Sequence, residues 1–236
     1  MTSSDEAAAK FDPSRAAEYG RQSRIALAGY DACHELAACL LAASLGAGSS
    51  ATVLVAGAGG TANEILTCGA LEPDWRFVAV DPSPPMLELA MQRVADAGLS
   101  DRTHTVAGVV ADLPAEAMFD AATLIGVLHH LPGDAAKRGI LADIAARLRP
   151  GAPFILAGNC QRYQAQPLLL AAWGERWRAQ GASAAEVQAK LGRILQGADP
   201  PESEAAVAGL LTEAGFEPPL RFFSSLFWGA WVTRRV

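Results

Sequence analysis

Short apolar runs alternate with amphipathic stretches along most of this chain of 236 residues. From Pro13 to Leu45 the reading is helical, broken near Gly29. Its second piece repeats apolar residues at Cys33, Leu36, Ala37, Leu40 and Leu41, the spacing of one helical face. Residues 52–56 predict a first strand, and a helical pattern beginning at Asn63 is stopped by Pro73. Arg76–Asp81 predicts a second strand. Ser83 and Pro84 then form the N-cap and first position of a helix through Met86, Leu87, Ala90 and Val94, closed by Gly98. A third strand is expected near 103–108 and a fourth over Phe119–Ile125, uncharged after Asp120 and so buried on both faces. Asp134 is expected to cap a helix with an apolar stripe at Ile140, Leu141, Ile144 and Leu148, and Ala152–Ala157 predicts a fifth strand.

Strands alternating with helices mean an α/β fold with a doubly wound, mostly parallel sheet built from right-handed crossovers. The alternation stops after Asn159. Residues 161–199 place Leu168, Leu169, Leu170, Trp173, Trp177, Leu191 and Ile194 in helical spacing with no strand between them. They predict a helical insertion that acts as a lid. A helix over Ser203–Ala214 and two strands near 218–224 and 227–234, paired as a hairpin, complete seven strands. One domain over 1–236 is expected, with 13–45 as an N-terminal helical cap segment; residues 1–12 are expected to be disordered.

Composition narrows the classes of function. Hydrophobic residues make up 51% of the chain, enough for one well-cored α/β domain. A net charge of −6 argues against general binding to nucleic acid or to an anionic membrane. No apolar run approaches a membrane span, and the acidic start of the chain has no signal-peptide core. Cys33, Cys39, Cys68 and Cys160 are scattered without a C-x-x-C pair. They are expected to be buried, reduced thiols of a cytoplasmic protein.

The candidate chemistry sits at the ends of the strands. Gly57, Gly59 and Gly60 follow the first strand, where a side chain would keep the backbone away from a ligand. The helix N-terminus beyond them offers unpaired N–H groups to an anionic ligand. Thr61 and Glu64 read as a capping box for that helix. Asp81 ends the second strand, 24 residues beyond Gly57, where a carboxylate can accept both hydroxyls of a ribose. The alternative readings, a loop aspartate or a helix cap, carry less weight beside the glycine turn. Asp112 and Leu113 follow the third strand, where a carboxylate and the next N–H suit adenine. An aspartate before proline also shapes turns. His129 and His130 follow the fourth strand and are the candidate catalytic residues, with ordinary packing as the alternative. No histidine–carboxylate metal spacing and no G-x-S-x-G elbow occurs, so no metal is expected.

Five motifs in order, VLVAGAGGTA, FVAVDPSPPMLELA, VVADLP, FDAATLIGVLHHLP and LADIAARLRPGAPFILAGN, resemble the class I S-adenosylmethionine-dependent methyltransferase family over about 50–160. A later segment, LLTEAGFEPPLRFF, is similar to that family's last helix, turn and sixth strand. The resemblance implies a Rossmann-like fold and the cofactor S-adenosylmethionine, with S-adenosylhomocysteine as product. It implies cofactor contacts from Gly57, Ala58, Gly59, Asp81, Pro82, Met86, Asp112, Leu113 and Gly126. Gly57 and Gly59 approach the methionine part, Asp81 holds the ribose, and Asp112 with Leu113 reads adenine. The chain departs from the pattern at Val55, where the family has an acidic residue, and at Thr61, where it has glycine. The segment around Tyr30 is similar to relatives of carboxy-S-adenosylmethionine synthase, in which a tyrosine covers the cofactor. Arg193 is a loose counterpart of the arginine that meets the added carboxylate there. The alternative for Tyr30 is packing at a helix start.

The expected function is in-line methyl transfer to a small-molecule acceptor, with a base needed only if the acceptor loses a proton. A nicotinamide-dependent oxidoreductase remains open, because Gly57-x-Gly59-x-x-Ala62 also satisfies the dinucleotide fingerprint. So do a carboxy-S-adenosylmethionine-type enzyme and a non-catalytic ligand-binding module. The insertion, with its tryptophans, is expected to roof the cleft together with the N-terminal helix, excluding water and favouring a small, partly apolar acceptor.

Overall fold

The computed structural model describes residues 13–236, so the expectation for 1–12 lies outside the described residues. Two helices, α1 (Pro13–Ala26) and α2 (Tyr30–Leu45), precede the first strand. Gly29 separates them in a left-handed conformation, φ 80°, with the Phe223 ring 3.2 Å from where a Cβ would stand. Only glycine meets both conditions easily.

Five strands follow, with helices after the first, second and fourth. They run β1 (Thr52–Ala56), α3 (Asn63–Leu71), β2 (Arg76–Asp81), α4 (Pro84–Asp96), β3 (Thr103–Ala107), β4 (Ala121–Ile125), α5 (Gly133–Arg147) and β5 (Pro153–Asn159). Helices α6 (Pro167–Ala179) and α7 (Ala184–Gly197) form the insertion, and α8 (Glu204–Glu213), β6 (Leu220–Ser225) and β7 (Trp228–Arg234) close the chain. The sheet order is β3-β2-β1-β4-β5-β7-β6, parallel from β3 to β5, with β7 antiparallel to both β5 and β6.

Alternation along β1 divides the core. Val53 and Val55 pack on one face with Cys33, Ala37 and Leu41 of α2 and Ile65 of α3. Leu54 and Ala56 pack on the other with Leu141 and Ile144 of α5 and Leu211 of α8. Each fully buried Leu or Ile contributes about 1.5–3 kcal/mol. The two layers explain why β4 and β5 are buried throughout. A third cluster lies outside the sheet, where Ile25 of α1 meets Trp173 and Trp177 of α6 together with Tyr163 and Phe227.

Three local expectations are corrected. The N-cap of α3 is Ala62, in a left-handed conformation at φ 49° and without a side-chain cap, because Thr61 and Glu64 bond elsewhere. Pro132 precedes α5, and Asp134 lies in its first turn, where its charge still suits the helix dipole. Cys39 is exposed, while Cys33, Cys68 and Cys160 are buried; all four are free thiols. Among the described residues no single helix is long and apolar enough to cross a membrane.

Candidate active site

The sheet brings the β1 and β4 carboxyl ends side by side, with β5 next to β4, and their loops open onto one cavity of about 550 Å³. Open α/β sheets bind ligands at such a point. The turn after β1 is held by backbone bonds: the Gly57 and Ala58 N–H groups both donate to Val80 O, at 2.7 and 3.2 Å. Gly57 has φ 67°, and a Cβ there would stand 2.2 Å from Val127 Cγ2. Its lack of a side chain therefore serves the approach of the β4 loop as well as the turn itself.

Asp81 ties the turn to the next helix. Its carboxylate accepts from Gly59 N–H and from Ser83 N–H, each at 2.9 Å. Burial pushes the Asp81 carboxyl above the usual range, against the pull of those two donors. At the cavity wall the Tyr30 and Thr61 hydroxyls share a hydrogen bond of 2.8 Å, linking α2 to the turn. One turn further along α2, His34 Nδ1–H donates to Tyr30 O at 2.8 Å, which leaves Nε2 facing Glu64 Oε2 at 3.9 Å. Glu64 is only 5% exposed, and burial raises its carboxyl while His34 opposes the shift.

The cavity is lined by Tyr30, Gly57, Ala58, Gly59, Met86, Gly126, His129 and His130 among the residues singled out from the sequence. Asp81, Pro82, Asp112 and Leu113 are not in that lining. Asp112 folds onto its own loop, accepting from Val109 N–H at 2.8 Å, and Leu113 is buried with its carbonyl bonded to Arg147. His129 is buried edge-on against Trp228, ring centres 5.4 Å apart, and its Nδ1 accepts from Asn159 N–H at 3.4 Å. A neutral His129 in this arrangement carries its proton on Nε2 and acts as a donor.

The roof is joined by long-range side-chain bonds. Trp173 Nε1 donates to Ala26 O at 2.7 Å, and Arg176 donates to Ile25 O and Arg24 O at 2.7 and 2.9 Å. Lys190 of α7 bonds Gln22 of α1. Past α7, Asp199 accepts from Gly133 N–H at 2.7 Å and from the buried Lys137 Nζ at 2.9 Å, and its own N–H donates to His129 O at 2.8 Å. Arg193 lines the cavity from an exposed position. Among the described residues no group of three or more His, Cys, Asp or Glu could hold a metal ion.

Sequence reasoning missed His34, Glu64, Asn159, Tyr163 and Trp228 as wall residues. His34 stands four residues after Tyr30, so a helical reading puts both on one face. Asn159 is the polar residue that ends an otherwise apolar β5, and that was its signal. Glu64 had been assigned to a cap, and Trp228 carried no local cue.

The fold is similar to that of solved methyltransferase structures. Residues 54–154 match the family model described as "Methyltransferase domain". An uncharacterized protein of Synechococcus sp. is 36% identical over 114 residues, spanning 45% of this chain and 26% of its own length. This chain thus covers about a quarter of that relative. Among solved structures, the 1,6-didemethyltoxoflavin-N1-methyltransferase of Burkholderia thailandensis, with bound substrate and S-adenosylhomocysteine, superposes with a TM-score of 0.56. It is 26% identical, over 87% of this chain and 79% of that one. An O-methyltransferase family protein of Burkholderia thailandensis gives a TM-score of 0.61 at 17% identity, over 91% and 62%. Mitomycin 7-O-methyltransferase gives 0.62 at 19% identity, over 87% and 54%.

Proposed function

We propose that this chain is a methyltransferase that uses S-adenosylmethionine and acts on a small-molecule acceptor. The observation that carries the reading is the Asp81 clamp on Gly59, which fixes a glycine turn at the mouth of a walled cavity. The 1,6-didemethyltoxoflavin-N1-methyltransferase and mitomycin 7-O-methyltransferase, which act on small molecules by their descriptions, share the fold and support the same class of acceptor.

The residues fit the cofactor. Glu64 lies in the cavity lining beside the turn and carries a buried carboxyl group, with His34 Nε2 3.9 Å from its Oε2. It offers the α-ammonium of the methionine part the negative charge that Val55 does not. Asp81, at the β2 end, is the ribose ligand in this reading, and Asp112 with Leu113 is the adenine-side pair. When bound, the cofactor supplies a methyl group on a positively charged sulfonium, ready for in-line displacement. The chain's own part is alignment and exclusion of water. The glycine turn and the Tyr30–Thr61 pair fix one side, and α1, α6 and α7 cover the other. His129 lines the cavity on the acceptor side, and an acceptor that must lose a proton would need a base.

The nicotinamide alternative has less support. A dinucleotide-binding sheet in the order 3-2-1-4-5-6 is parallel to its edge, whereas here β7 enters antiparallel between β5 and β6. The carboxylated-cofactor alternative finds Arg24 paired with Asp31 and Arg193 at an exposed position. A cytoplasmic location belongs to the same proposal, supported by four unpaired cysteines. Calorimetric titration of S-adenosylhomocysteine and NAD tests the reading. Binding of the first and not the second is expected, and NAD binding alone overturns it.

A further inference from the structure

Glu64 of α3 and His34 of α2 both line the cavity, with side chains that keep 6% and 1% of their surface. His34 is fixed from its far side. Its Nδ1–H donates to Tyr30 O at 2.8 Å, and the Tyr30 ring lies against the imidazole with centres 4.3 Å apart. A ring flip would break that bond, so Nε2 stays directed at Glu64 Oε2, 3.9 Å away. Among the described residues no Lys or Arg comes within ion-pair distance of Glu64.

The groups that face the pair do not neutralise it. Asp81 at the end of β2 acts on Glu64, but its own carboxylate is held by Gly59 and Ser83 N–H. The Cys33 thiol of α2 and the Cys68 thiol of α3 are pushed up to about 12 by burial and stay neutral. Asp31 of α2, which feels His34, is paired with Arg24 at 2.6 Å. An ionised Glu64 beside an unprotonated imidazole would be an uncompensated buried charge, which is costly. In the free protein the pair therefore holds one proton, as imidazolium and carboxylate or as imidazole and carboxylic acid. Burial favours the second form by raising the Glu64 carboxyl, and His34 opposes it.

Resting on the methyltransferase reading, we propose that the His34–Glu64 pair couples cofactor binding to pH, because the α-ammonium of the methionine part displaces the pair's proton. Glu64 is then ionised against the ammonium, His34 is neutral, and the proton passes to solvent. The site carries no net charge before binding and none after it. Protons and the cofactor's ammonium thus compete for one place, and a ligand without the ammonium does not enter that competition.

The test is calorimetric titration of the intact protein with S-adenosylhomocysteine and with its deaminated analogue, which keeps the carboxylate and lacks the ammonium. Repeating it in buffers of different ionisation heat counts the protons exchanged. At pH 6.5 S-adenosylhomocysteine should release roughly half to one proton per site, and the analogue close to none. The ratio of the two affinities should fall about tenfold from pH 7.5 to pH 5.5. Any titration of Asp81 acts on both ligands and cancels in that ratio. Glu64→Gln should bring the ratio near one at every pH. His34→Gln should release fewer protons and make the ratio less sensitive to acid, an effect that loss of packing alone would not produce. Saturable binding of the analogue is the fold check for both variants, and if either fails it, the wild-type ratio decides. A ratio that does not change with pH, or equal proton release by the two ligands, overturns the proposal. So does a pH dependence that survives in Glu64→Gln or is unaltered in His34→Gln. Failure of the intact protein to bind either ligand is a separate result that removes the methyltransferase reading itself.

Discussion

The two walls of the cavity are built in different ways. The wall around the glycine turn is made of neighbours: Gly57, Ala58 and Gly59 bond Val80 and Asp81 across one pair of adjacent strands. The roof is made of distant segments, with Trp173 and Arg176 of α6 reaching the backbone carbonyls of α1. The first wall needs neighbouring strands and one bond from Tyr30 of α2 to Thr61, and the second joins α1 to α6 across 147 residues at Ala26 and Trp173. It follows that the turn should be the conserved element of binding chemistry and the roof the adjustable element of acceptor choice. Substitutions in one wall should leave the function of the other readable.

The largest effect is expected from Trp173→Ala. It removes a buried indole and leaves Ala26 O without its donor, which should cost about 3–5 kcal/mol of stability by thermal or urea unfolding. In protein that stays folded at low temperature, S-adenosylhomocysteine should still bind while acceptor turnover is lost. If cofactor binding falls in parallel with turnover, the two walls are not separable. Gly57→Ala attacks the other wall, forcing a Cβ to within 2.2 Å of Val127 at a positive φ. A cost of about 3 kcal/mol is expected, with S-adenosylhomocysteine binding the most affected property.

Asp81→Ala comes next. Loss of a charge-assisted anchor should weaken S-adenosylhomocysteine by about 1.5–3 kcal/mol in calorimetry. Unchanged affinity in a folded variant would remove Asp81 from the site. The smallest effect belongs to Glu64, whose carboxyl is raised by burial. A group with a raised folded pKa contributes stability that is present below its unfolded pKa and lost as pH rises through the folded value. Glu64→Gln should therefore gain about 1 kcal/mol over wild type at pH 8 in the absence of ligand, and the gain should fade as pH drops to 4. A constant difference across that range would show that the Glu64 carboxyl titrates alike in the folded and unfolded protein, so that burial does not raise it.

What the sequence made legible follows the same division. The glycine turn, the Asp81 strand end and the apolar β4 and β5 are local patterns, and local patterns survive without tertiary information. The α6–α7 insertion was legible as helices, but which backbone carbonyls Trp173 and Arg176 would meet was not, because their partners stand near the other end of the chain. The capping box failed for the same reason. Tyr30 takes the Thr61 hydroxyl and His34 faces Glu64, so both side chains turn away from the helix end they appeared to serve. The Asn159–Trp228 pair needs the register of β5 against β7, and no spacing along the chain encodes it.

The most direct test is a crystal structure of the intact protein with S-adenosylhomocysteine. The thioether sulfur should lie inside the cavity between the Gly57–Gly59 turn and the His129–Trp228 wall, with the ribose hydroxyls on Asp81 and the ammonium beside Glu64. A ligand bound with its sulfur outside that cavity, or with neither Asp81 nor the glycine turn in contact, would contradict the account.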